Sequence, residues 1–168
     1  MKPARYLAAG LVAVAIGVGA FLAFGGSAGG TAPNVSYTLL DGSKGSLDQM
    51  RGKVVLVNFW ATSCDTCIHE MPQMVATHEK YRSKGFETLA VAMSYDPPAY
   101  VINYAETRKL PFGVVIDNTG SFAKSFGKVQ LTPTSVLIDK RGRIVKTYVG
   151  EPDFVALHQL VEKLLAQA

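Results

Sequence analysis

The chain carries two cysteines, Cys64 and Cys67, with Asp65 and Thr66 between them. They follow the run Val54-Val55-Leu56-Val57-Asn58-Phe59-Trp60 and open a segment whose apolar residues keep helical spacing. A buried strand thus delivers two thiols to the first turn of a helix. The free N–H groups and positive dipole end of a helix N-terminus stabilise a thiolate, and the thiolate is the species that attacks a disulfide. The segment is therefore expected to be a thiol–disulfide exchange centre. A purely structural disulfide is the plain alternative, but a bridge across two residues closes too short a loop to stabilise much through chain entropy. Zinc fits poorly, because two thiolates without a second ligand pair cannot fill four positions. His69, alone on a helix, is expected to be solvated. Covalent haem attachment would need a histidine directly after Cys67, where Ile68 stands. Neither a metal nor a cofactor is expected.

The elements that must position this pair can be read from periodicity and breakers. Val35–Leu40 reads as a strand ending in the Asp41-Gly42 turn, and Ser46–Arg51 as a short helical turn closed by Gly52. Val54–Trp60 is too continuously apolar to have a wet face. The helix after Cys64 is expected to run to about Lys84 and end at Gly85, with a kink at Pro72. Phe86–Met93 is a second apolar strand, stopped by Asp96-Pro97-Pro98; Ala99–Lys109 is helical and Phe112–Ile116 a short strand. Asp117–Gly120 is a turn and Ser121–Phe126 a short helix. Thr134–Asp139 and Arg143–Val149 form a hairpin, and the last helix starts at its N-cap Asp153. Alternating strands and helices followed by an antiparallel hairpin predict an α/β fold, a mixed sheet with helices on both faces.

Ahead of this domain, Lys2 and Arg5 precede an uncharged stretch from Tyr6 to Phe24, and no charge follows until Asp41. About nineteen residues at ~1.5 Å each roughly span the ~30 Å hydrocarbon core. Residues 1–24 are expected to be a membrane anchor, with the cations inside and the domain outside. The competing reading is a signal peptide cleaved near Gly26-Ser27-Ala28; the stretch is longer than the usual signal core. Residues 25–33, Gly-Gly-Ser-Ala-Gly-Gly-Thr-Ala-Pro, are expected to be a flexible linker of small residues, and 34–168 the redox domain. Net charge is +4, from 17 basic and 13 acidic side chains, and the lysines are scattered, so nucleic-acid binding is not expected.

Phe59-Trp60-Ala61-x-x-Cys64-x-x-Cys67, then Pro72, then Thr132-Pro133-Thr134 before the hairpin, resembles the thioredoxin superfamily. Within it, the chain looks like the membrane-tethered TlpA/ResA-like thiol–disulfide oxidoreductases. The likeness covers about Ala32 to Gln167, with a helix–strand insertion at about Tyr95 to Lys128. It implies a thioredoxin-like fold, with Cys64 the attacking thiol and Cys67 the thiol that resolves the mixed disulfide. It also implies a functional glutamate, Glu70, and a cis Thr132-Pro133 bond whose Thr132 backbone pairs with an extended substrate, beside a shielding Trp60. The strand position that holds Asp in thioredoxin is Asn58 here, which cannot titrate. Ser63 stands where many relatives have a second tryptophan, which reduces the apolar docking surface. Implied partners are thiol- or disulfide-containing exported proteins and a thiol-reducing membrane electron donor. The clients would be apocytochrome c first and copper-site assembly proteins next. The implied place is the inner membrane facing the periplasm or extracytoplasmic side, or a soluble periplasmic form after cleavage.

Two other classes compete. A peroxiredoxin-type thiol peroxidase wants Pro-x-x-x-Thr-x-x-Cys, but Val57 and Ala61 occupy the Pro and Thr positions. A non-enzymatic copper-binding module usually spaces its thiols by three residues and adds a distant histidine. The spacing here is two, and His158 reads as an exposed position of the terminal helix.

Overall fold

The computed structural model describes residues 29–167; the expected apolar anchor lies outside them. Among the described residues, no helix is long and apolar enough to cross a membrane.

Among the described residues, seven strands and four α-helices follow one another: β1 (Ser36–Thr38), β2 (Lys44–Ser46), β3 (Val54–Trp60), α1 (Asp65–Tyr81), β4 (Phe86–Ala92), α2 (Pro98–Arg108), β5 (Gly113–Ile116), α3 (Ser121–Ser125), β6 (Thr134–Ile138), β7 (Ile144–Val149) and α4 (Phe154–Leu165). The main sheet has the order β5-β4-β3-β6-β7. β3, β4 and β5 are parallel, while β6 and β7 run antiparallel, so the sheet is mixed as expected. α2, β5 and α3 supply the expected insertion.

β3 is central and fully buried, so both of its faces make core. Val54, Leu56 and Trp60 join Met71, Met74 and Tyr81 of α1 and Leu157, Val161 and Leu164 of α4. Val55, Val57 and Phe59 face the other way, against Leu47, Val115, Phe122 and Val136. Burying one such aliphatic side chain contributes roughly 1.5–3 kcal/mol before entropy is counted. α4 is set on the first face by its stripe and by Asp153, whose carboxylate accepts from Val155 N (2.9 Å) and Ala156 N (3.1 Å).

Several local expectations shift. The first strand is shorter than read from sequence, and its partner β2 is a strand made of Lys44-Gly45-Ser46, a sequence with no alternating apolar pattern. Leu39 leaves β1 to bridge Val115 of β5 instead. α1 runs without interruption through Pro72, and a short 3-10 turn, Arg82–Lys84, carries the chain to Gly85. Gly85 has φ 93°, which explains why a glycine stops the chain there. His158 is not an exposed position: it is half-buried, its Nε2 is 2.9 Å from Thr77 Oγ1, and its ring meets Tyr81 edge-on at 5.4 Å. Thr77 spends its hydroxyl proton on Gln73 O (2.7 Å), so the imidazole N–H is the donor in the His158 contact. Burial, and secondarily Lys80, holds the His158 imidazole below its ordinary value.

Candidate active site

Parallel β3 and β4 end side by side at Trp60 and Ala92, and antiparallel β6 begins there, with Thr134 opposite Phe59. Three loops therefore gather at this end of the sheet: Ala61–Cys64, Met93–Asp96 and Leu131–Pro133. The chain turns at Ala61, whose carbonyl accepts from Cys64 N (3.2 Å), and Cys64 becomes the N-cap of α1. Its sulfur accepts from Cys67 N at 3.2 Å. Cys64 and Cys67 form a disulfide, with Cα atoms 5.2 Å apart. The two sulfurs are not equivalent. Cys67 is fully buried and packs in the same cluster as Trp60, whereas Cys64 is only partly covered. Asp65 and Thr66 between them are exposed.

One helical turn past Cys67, α1 turns Glu70 inward, where it is fully buried. Asn58 of β3 donates from Nδ2 to Glu70 Oε1 (2.9 Å) and to Ser135 Oγ (2.9 Å). Ser135 lies directly opposite Asn58 in the β3–β6 register. Glu70 Oε2 and Asn58 Oδ1 are buried with no hydrogen-bond partner among the described residues. Burial dominates the electrostatics and pushes Glu70 up to about 7. The Asn58 bond partly offsets that, and the Glu151 charge adds to it. A buried carboxyl with one unpaired oxygen is better tolerated neutral than charged, so this group can hold or release a proton near neutral pH.

Across from these, the Thr132–Pro133 peptide bond is cis. Pro133 is buried, its carbonyl accepting from Gly150 N (2.8 Å), while Thr132 is half-exposed and Leu131 is exposed. Thr132 Oγ1 lies 3.1 Å from the hydroxyl of Tyr95. Trp60 is fully buried among apolar side chains, its ring 5.3 Å from Tyr104. The structure thus gathers Cys64, Cys67, Trp60, Thr132 and Pro133 at one end of the sheet, with Glu70 one turn deeper in α1. His69 is exposed and pairs with Glu151 (3.2 Å). Among the described residues no cluster of His, Cys, Asp or Glu could hold a metal ion.

Sequence reasoning missed two participants. Ser135 was detectable as the polar residue within the apolar run of β6, just as Asn58 is within β3. Asp96, read as part of a breaker, is buried and bonds Thr62; a contact across 34 positions leaves no local signal.

Known proteins resemble this chain in sequence and in fold. A family model described as Redoxin matches residues 27–161. The thiol-disulfide oxidoreductase ResA of Bacillus thuringiensis subsp. konkukian is 38% identical over 136 residues, covering 81% of this chain and 78% of that protein. ResA of Geobacillus thermodenitrificans is 38% identical over 122 residues, covering 73% and 69%. Among solved structures, a thioredoxin-class protein from Neisseria meningitidis superposes with a TM-score of 0.77 at 43% identity, over 83% of this chain and 93% of the other. A thiol:disulfide interchange protein of the thioredoxin family from Chlorobium tepidum TLS gives 0.75 at 29% identity, over 82% and 97%.

Proposed function

The chain belongs to the redoxin family of the thioredoxin superfamily and is a ResA-like thiol–disulfide oxidoreductase, and from that premise we propose that it works as a reductase of disulfides in exported proteins. The observation that carries the direction of attack is the unequal exposure of the two sulfurs. Cys64, the partly covered helix N-cap, is the thiol a client can reach, and buried Cys67 resolves.

In the reduced protein the Cys64 thiolate attacks one sulfur of a client disulfide. The client S–S bond breaks, a mixed disulfide forms, and the departing client thiolate takes up a proton. Glu70 accepts the proton of Cys67, whose thiolate then attacks Cys64 Sγ. That breaks the mixed disulfide, and the second client thiolate is protonated in turn. Two electrons have passed from the dithiol to the client, leaving the Cys64–Cys67 disulfide. A thiol-reducing donor, expected at the membrane, returns the pair to the dithiol. The Thr132 backbone pairs with an extended client beside Cys64, and Trp60 keeps water from the buried sulfur.

The exposed carboxylate of Asp65 next to Cys64 opposes thiolate formation and favours a reducing centre. Clients in this reading are exported thiol proteins, apocytochrome c before copper-site assembly proteins. Residues 1–24 anchor the chain in the inner membrane, with the domain outside the cytoplasm. Two measurements test the proposal. Cys67→Ser should accumulate mixed disulfides with clients in cells, whereas Cys64→Ser should not; no accumulation would remove the exchange mechanism. Equilibration with glutathione should give a potential nearer about −270 mV than about −120 mV, and a value above about −180 mV would rule out the reductase direction.

A further inference from the structure

The loop that aims Cys64 is tied to a residue thirty-four positions away. Asp96 is buried, and both of its carboxylate oxygens are occupied by Thr62. Oδ2 accepts from Thr62 N at 2.6 Å, and Oδ1 from Thr62 Oγ1 at 2.6 Å. Thr62 lies inside the Ala61–Cys64 turn, two residues before the N-cap sulfur. Asp96 is itself fixed to the end of β4, since its N–H bonds Met93 O (2.9 Å) and Met93 N bonds Trp60 O (2.9 Å). The neighbouring Tyr95 reaches the opposite loop, its hydroxyl 3.1 Å from Thr132 Oγ1. One short turn after β4 therefore holds both loops that face a client.

We infer that Asp96 is a positioning residue of the redox centre: by gripping Thr62 it holds Cys64 in the N-cap place, where the helix end can stabilise its thiolate. The physical reason is directional. A thiolate gains from α1 only while its sulfur sits over the free N–H groups of the first turn, and the effect fades within that turn. A backbone that carries Thr62 two residues upstream sets that place. Charge-assisted bonds from a buried carboxylate are among the stronger ties available, and leaving their partners unpaired is costly. Both donors of Thr62, its N–H and its hydroxyl, are spent on Asp96.

This inference rests on Cys64 being the attacking thiol. The test is the pH dependence of alkylation of the reduced, full-length chain by iodoacetamide, with the labelled cysteine located by peptide mapping. Asp96→Ala should raise the midpoint of the Cys64 profile by about half to one pH unit and slow alkylation about three- to tenfold below it. Asp96→Asn, which can still accept from Thr62 N and pair with its hydroxyl, should restore the midpoint. Thr62→Val, which loses one of the two bonds, should shift it in the same direction by less. If Asp96→Ala does not fold, the Asn and Val variants carry the test. A lowered Tm with an unmoved midpoint would reduce Asp96 to a structural tie and overturn the inference, as would an unmoved midpoint in Thr62→Val. An Asn variant as impaired as Ala would assign the effect to charge instead of position, and would also overturn it. Label on Cys67 in the wild-type chain would instead remove the assignment of the attacking thiol.

Discussion

Glu70 is an acid held in a place that favours its neutral form, and the cost of that arrangement depends on pH. Its carboxyl is raised from 4.5 to about 7, chiefly by burial. Below about pH 4.5 the folded and unfolded chains are both protonated at this position and the group costs nothing. As pH rises toward 7 the unfolded chain gives up its proton first, so stability falls, and above 7 the penalty is complete at about 3 kcal/mol. Glu70→Gln should abolish that slope. Denaturant titrations between about pH 5 and 8 should show the wild type losing stability relative to the variant as pH rises. The same substitution removes the proton acceptor beside Cys67. Turnover should fall in the resolving step, with mixed disulfide accumulating, while the alkylation rate of Cys64 changes little. Equal losses in both steps would argue against a role for Glu70 confined to resolution.

At the scale of elements, the β6–β7 hairpin shows how one carboxylate fixes a turn. Asp139 accepts from Arg141 N (3.0 Å), Arg143 N (2.8 Å) and Arg143 Nε (2.9 Å). Burial pushes its acidity the other way, but the bonds and charge of Arg143, with the Arg141 backbone bond, outweigh burial and hold the carboxyl below its ordinary value. A lowered folded value means stability that is present above the ordinary carboxylate range and lost as pH falls through the folded one. Asp139→Ala should therefore cost about 1–3 kcal/mol at neutral pH and weaken the acid limb of the stability curve. Such ties also mark the limit of what the chain reveals on its own. β3, β4, α1 and α4 were legible because apolar periodicity and end signals such as Asp153 and Gly85 act within a few residues. The disulfide pair was legible because two cysteines and a strand–helix junction are adjacent in sequence. β2 was not, since Lys44-Gly45-Ser46 is a strand only because β1 folds back on it. The half-burial of His158 was hidden too, because Thr77 and Tyr81 reach it from another helix. Glu70 had its family resemblance and its spacing from Cys67 to recommend it; its bond to Asn58, itself tied to Ser135 across the β3–β6 pairing, had no local signal.

For the molecule as a whole, the sheet separates two apolar layers, and β3, β4, β5 and β6 each give alternate side chains to both. Leu157 is fully buried in the layer shared by α1 and α4. Leu157→Ala should cost about 2–5 kcal/mol, read as a lower denaturant midpoint with an unchanged slope. A changed slope would mean that α4 detaches separately from the rest. The sheet also has a polarity that bears on how the domain is used. The first described residues pair with the hairpin turn of β6 and β7: Ile144 N bonds Gly30 O (3.0 Å), Ala32 N bonds Gly142 O (2.8 Å), and Thr31 bridges Arg143. β6 runs from that turn back to Thr134, beside the sulfurs, so its five residues, about 17 Å of strand, separate the point where the chain enters from the point where it reacts. On the proposed anchoring by residues 1–24, the domain would hold its reactive tip on the side away from the mooring, like a lamp on a post. On that reading, partners arriving from solution would meet the sulfurs directly, whereas a partner embedded in the mooring surface would face the opposite end of the sheet.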